Sequence, residues 1–109
     1  MPHLRVRGLS AQQVQTLTSG LSRELAQALA TQPDHFTFEY VATEFFAEGT
    51  SSMGWPFVEV LMFERPAEQK KACAKVLSDR IRALSSAMDV TVIFQILDKA
   101  NYFENGQQS

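Results

Sequence analysis

This chain of 109 residues lays out one structural plan and then repeats it. Pro2-His3-Leu4-Arg5-Val6 lines up with Pro56-Phe57-Val58-Glu59-Val60, and Phe36-Thr37-Phe38 with Val90-Thr91-Val92. Glu44-Phe45-Phe46-Ala47-Glu48-Gly49 lines up with Asn101-Tyr102-Phe103-Glu104-Asn105-Gly106. Three matches in the same order point to an internal duplication, with pseudo-repeats 2–49 and 56–106 and pseudo-twofold symmetry. A chain of this length is expected to form a single domain, residues 1–109.

Each repeat reads as strand, helix, strand. Leu4 and Val6 alternate with His3, Arg5 and Arg7, the period of a half-buried strand. Ser10 and Gln13 have capping-box spacing. Val14, Leu17, Leu21, Leu25, Ala28 and Leu29 then recur at helical intervals, which predicts one amphipathic helix, and Pro33 stops it. His35 to Val41 is an aromatic-rich, alternating strand. Gly49-Thr50-Ser51-Ser52-Met53-Gly54 reads as a loop by composition. Pro56 to Phe63 is the next strand, and Pro66 suits the first turn of a helix. Cys73, Val76, Leu77, Ile81 and Leu84 give that helix its apolar face, and Asp89 to Leu97 is the last strand. A βαβ crossover is right-handed and makes its two strands parallel. The expected fold class is therefore α/β (an α+β two-layer sandwich), with tandem βαβ units forming one four-stranded sheet and two helices on one face.

The opposite sheet face carries Arg5, Arg7, Thr37, Glu39, Glu59, Leu61, Phe63, Thr91, Ile93 and Gln95. It is too polar for a second packed core and too apolar for a fully wet surface. Either it is solvated with cross-strand Arg–Glu pairs, or it is buried against other copies of the chain around a partly wet centre.

Composition excludes several classes. A formal net charge of -2 argues against a nucleic-acid partner, which needs a basic face. No apolar run is long enough to span a bilayer and no leader pattern is present, so no membrane partner is expected. One cysteine, Cys73, rules out an internal disulfide framework and fits a cytoplasmic location. With two histidines and that cysteine, no metal site is expected, and no cofactor motif is present.

The chemistry-bearing candidate is Pro2. Removal of the initiator methionine from a small second residue leaves a free secondary amine, able to act as a base in a dry pocket. Pro2 at the head of a strand, two βαβ units, and the stretches MPHLRVRG, FTFEYVATEFFAEG, VEVLMFER and NYFENGQ resemble the tautomerase superfamily. That superfamily includes macrophage migration inhibitory factor and the 4-oxalocrotonate tautomerases. Within it, the chain is most similar to a family of small uncharacterised bacterial proteins. The resemblance implies a homotrimer with sheets around a central channel. It also implies Pro2 as the catalytic base for keto–enol tautomerisation of a small carbonyl compound, at a depressed amine pKa.

The resemblance places further residues near such a site. Tyr102 or Phe103 stands where an aromatic walls the pocket; alternatively both aromatics staple neighbouring subunits. Gln95 falls where one branch has a strand amide. The cations that hold a substrate carboxylate elsewhere are replaced here by Gln12, Gln32 and Thr91, which leaves developing enolate charge without its usual partner. Arg65 is a substitute candidate for substrate binding, while Arg5 and Arg7 are expected to pair with Glu39 and Glu59. His3 reads as structural, Cys73 as inert core, and Trp55 as either a pocket lid or a subunit-boundary plug. The alternative function is a non-catalytic trimeric binding or scaffold protein that keeps the fold.

Overall fold

A computed structural model describes residues 2–108. In chain order its elements are β1 (His3–Arg7), α1 (Ala11–Leu17), α2 (Leu21–Leu29), β2 (Thr37–Val41), β3 (Phe45–Ala47), β4 (Thr50–Ser52), β5 (Phe57–Met62), α3 (Ala67–Leu84), β6 (Thr91–Ile96), β7 (Phe103–Glu104) and β8 (Gln107–Gln108). The alternation in β1 and β5 decides the layering. Leu4, Val6, Val58, Val60 and Met62 all point to one side and are buried. There they meet Val14, Leu17, Leu21, Leu25 and Leu29 from the first two helices and Cys73, Leu77 and Ile81 from α3. Each such side chain taken fully out of water stabilises the fold by about 1.5–3 kcal/mol. All three helices thus cover one face of one sheet. Burial also pushes the Cys73 thiol up to about 12, so it stays protonated at neutral pH.

The four main strands are ordered β2-β1-β5-β6. β1 runs parallel to β2 and β5 parallel to β6, while the two central strands, β1 and β5, are antiparallel. The proline-headed ends of β1 and β5 therefore lie at opposite ends of the sheet. On the open face Arg7 pairs with Glu59 at 2.8 Å and Arg5 with Glu39 at 3.4 Å. His3 bonds Thr37 Oγ1 through Nδ1 at 2.7 Å and Glu39 through Nε2 at 2.8 Å. The His3 hydrogen bond, aided by Arg5, holds the Glu39 carboxyl below its usual range.

The first helical run differs from the single helix its spacing predicts. It is broken at Thr18–Gly20 into α1 and α2, and Gly20 takes φ +72°. The reason lies far along the chain: Arg80 of α3 donates to the carbonyls of Leu17 at 2.7 Å and Ser19 at 2.5 Å, and pairs with Glu24. Carbonyls left open by the break are thereby satisfied. At the other end of α1, Ser10 and Gln13 exchange both bonds of the capping box, at 2.8 and 3.1 Å.

The segment read as a Gly/Ser loop also contains structure. Residues 45–52 form the β3–β4 hairpin, turning on Glu48 and Gly49, and β7–β8 turns on Asn105 and Gly106. All four turn residues have positive φ, as two-residue hairpins of the type I′ kind require. Among the described residues, no helix is long and apolar enough to cross a membrane, and no group of three or more His, Cys, Asp or Glu could hold a metal ion.

Candidate active site

Pro2 is buried at the head of β1, and its carbonyl accepts the Thr37 N–H at 3.2 Å. Parallel pairing of β1 with β2 matches His3 to Thr37, which brings the single-turn helix Pro33–His35 beside the proline. Antiparallel pairing with β5 matches His3 to Leu61, which carries Phe63 to the same end of the sheet. The chain leaving β6 returns there through a turn at Lys99–Asn101, capped by Asp98 Oδ1 on the Ala100 N–H at 3.0 Å. Tyr102 then meets Phe63 edge-to-face at 5.0 Å, and Lys99 Nζ lies 5.6 Å from the Phe63 ring centre.

These four segments enclose an open cleft of about 530 Å³, lined by Pro2, Asp34, His35, Thr37, Phe63, Tyr102 and Glu104. Its volume suits a small organic molecule. The Tyr102 hydroxyl donates to Glu104, and that bond pushes the phenol above its ordinary value. His35 Nδ1 lies 3.1 Å from Thr31 Oγ1, and Nε2 lies 4.0 Å from Asp34. Beside Pro2 the lining brings together an aromatic wall, a phenol, an imidazole and two carboxylates, groups able to take part in proton transfer.

Of the residues singled out from the sequence, Pro2 and Tyr102 meet in this cleft. Gln95 is exposed on β6, opposite Leu61 on the open sheet face. Phe103 is exposed on β7, and the Arg65 backbone N–H donates to Glu64. None of these three lines the cleft formed by one chain. Asp34, His35, Thr37, Phe63 and Glu104 are not evident as site residues from sequence, because they come from three separate stretches with no motif of their own. The strand pairing was the available signal: whatever precedes β2 and follows β5 must flank Pro2.

The opposite end of the sheet is built alike but closed. Pro56 is buried, and its carbonyl accepts the Thr91 N–H at 3.0 Å. Trp55 stacks on Phe57 at 5.8 Å between ring centres and donates from Nε1 to Thr91 Oγ1 at 2.9 Å, so it plugs this end.

A four-stranded sheet with two parallel βα-linked strand pairs, its α-helices on one face and a proline heading a central strand defines the tautomerase/MIF fold. The chain belongs to the family described as Domain of unknown function (DUF1904), matched over residues 1–108. It is similar to a solved member of that family from Sebaldella termitidis, with 38% identity, 100% of both chains covered and a TM-score of 0.95. The fold alone is shared with a fused 4-OT, solved as an asymmetric trimer, at 20% identity, 97% and 94% coverage and a TM-score of 0.84. It is shared likewise with a macrophage migration inhibitory factor-like protein from Entamoeba histolytica, at 8% identity, 99% and 98% coverage and a TM-score of 0.76. No curated protein matches the chain.

Proposed function

We propose that this chain is a proline-dependent tautomerase that moves a proton between carbon and oxygen of a small carbonyl compound. The observation carrying this reading is the seat of Pro2, buried at the strand head and forming part of a cleft of substrate size. Burial disfavours the ammonium form of its amine, while Asp34 and Glu104 favour it. Both carboxylates are exposed, so solvent weakens their pull. Tyr102 is positioned to donate to the substrate oxygen when its bond to Glu104 is exchanged.

The active form is proposed to be a homotrimer of single-domain chains, 1–109, in a reducing cytoplasm. Ile93, a large apolar side chain exposed on the open sheet face, is available for such association. In such an assembly Gln95, Phe103 and Arg65 are available to bind substrate in a neighbouring copy's cleft. A second reading, a non-catalytic trimeric binding protein, is favoured by one observation: among the described residues, no Lys or Arg lines the cleft.

Met1 lies outside the described residues, and its removal is required for the amine. The test is to prepare the protein with and without Met1, verified by intact mass, and to follow loss of phenylenolpyruvate and deuterium exchange into phenylacetaldehyde. Activity confined to the form starting at Pro2 supports the enzyme. Equal rates in both forms, or none in either, favour the binding protein.

A further inference from the structure

The charge lining the cleft is opposite to that of a site built for acidic substrates. Asp34 and Glu104 contribute two carboxylates, and no Lys or Arg among the described residues contributes to the lining. Arg5 and Arg7, the cations nearest to Pro2 in sequence, are committed to Glu39 and Glu59 on the open sheet face. Arg80 is spent on Glu24 and the α1–α2 break. The lining is otherwise partly aromatic, with Phe63 and Tyr102 at right angles to each other and Glu104 bonded to Tyr102. An aromatic face attracts a cation, and the Phe63 ring already holds the Lys99 ammonium at 5.6 Å without bringing Lys99 into the lining. Tyr102 directs its hydroxyl at Glu104, so the wall and the carboxylate form one continuous receptor surface.

We infer that the cleft selects a small carbonyl compound bearing a positively charged ammonium group, and disfavours one bearing a carboxylate. This rests on the proposal that the cleft is a substrate site, but not on Pro2 acting as a base. Exposed charges a few ångströms apart interact modestly in water, so the expected discrimination is about tenfold in affinity for each charge step.

The test uses three phenyl ketones of similar shape: phenacyltrimethylammonium, its uncharged isostere neopentyl phenyl ketone, and benzoylacetate. Binding is measured by calorimetry and by NMR shifts of cleft residues. The cation is expected to bind about tenfold more tightly than its isostere, with the advantage shrinking as salt is added, and benzoylacetate weakest. Asp34→Asn and Glu104→Gln, singly and together, are expected to bring the ratio of the cation's affinity to that of its uncharged isostere close to one. Both side chains are exposed, so the variants should fold, which circular dichroism checks. Tighter binding of benzoylacetate, charge-blind binding, no binding by any of the three, or a preference that survives both substitutions would overturn the inference. Deuterium exchange at the methylene next to the ketone separates the two claims. If cation preference holds while exchange is the same in wild type and Pro2→Ala, the selectivity stands and the base fails.

Discussion

The two ends of the central strand pair share a backbone plan and differ in what occupies them. At the Pro2 end the proline carbonyl is tied to Thr37, and an open cleft lies between the β7–β8 segment and the turn before β2. At the Pro56 end the same carbonyl bond is made to Thr91, but the chain continues backwards through Trp55 and Gly54 and fills the corresponding space. A Cβ on Gly54 would lie 2.4 Å from the Phe45 ring, and one on Gly8 would lie 2.8 Å from Pro56 Cα. The nearby hollow is smaller, about 300 Å³, and Pro56 does not line it. The chemistry differs as well. Pro56 nitrogen is a tertiary amide with no basic lone pair, whereas Pro2 becomes an amine once Met1 is gone. The contrast shows how a repeated unit can supply one working end and one structural end without changing its strands.

The largest effect should come from exchanging the roles of the two prolines. Pro2→Ala is expected to slow proton transfer by about 10²–10⁴-fold, the usual worth of a positioned base. Pro56→Ala should leave the rate unchanged. Deuterium exchange into an enolisable ketone measures both, and equal losses would break the comparison.

Next in size is a packing effect. Gly8→Ala places a Cβ against backbone atoms at φ +88°, so it is expected to cost about 3 kcal/mol. Gly106→Ala, at φ +77° with nothing within 4 Å, should cost only about 1–2 kcal/mol, the left-handed penalty. Urea unfolding of the two variants gives the difference, and similar losses would show that the Pro56 end is not tightly closed.

Removing the plug is a milder change. Trp55 is 43% exposed, so Trp55→Ala should lose about 1–2 kcal/mol with its stacking and its bond to Thr91. The opened end should gain no activity: Pro2→Ala combined with Trp55→Ala is expected to be as inactive as Pro2→Ala alone.

The smallest effect concerns pH. His3 and Glu39 face each other at the Pro2 end, where the other repeat carries Phe57 and Ile93 at the equivalent positions. Glu39 has a carboxyl lowered below 4.5 in the folded state, so its contribution is present above that value and lost as pH falls through the folded pKa. Glu39→Gln should therefore flatten the fall in Tm between neutral and strongly acidic pH. An unchanged acid limb would mean the pair does not stabilise the fold.

Much of this architecture is legible in the residues. The alternation of Leu4 and Val6, and of Val58, Val60 and Met62, fixes which sheet face is buried, and those side chains form the core. The helix break is not legible from spacing, because Leu17 and Leu21 stay four apart and both stay buried across it. The cause, Arg80, is remote in sequence, and Gly20 is the only local sign. Strand β4 hides in a Gly/Ser-rich stretch because its three residues are exposed and carry no apolar alternation. The cleft is legible only in part. Pro2 and Tyr102 stand out as residue types, whereas Asp34, His35 and Phe63 gain meaning only once the register of β1 with β2 and β5 sets them side by side. Gln95 shares that end of the sheet through its pairing with Leu61, but neither it nor Arg65 lines the cleft of a single chain.

The most direct measurement is an NMR pH titration of Pro2 nitrogen in protein labelled with ¹⁵N-proline and freed of Met1. A working base predicts an amine that titrates below roughly 7.7, the lower edge of an ordinary α-amino group, with the deuterium-exchange rate following the same curve. An amine titrating at or above roughly 8, or an exchange rate that ignores its titration, would contradict the account.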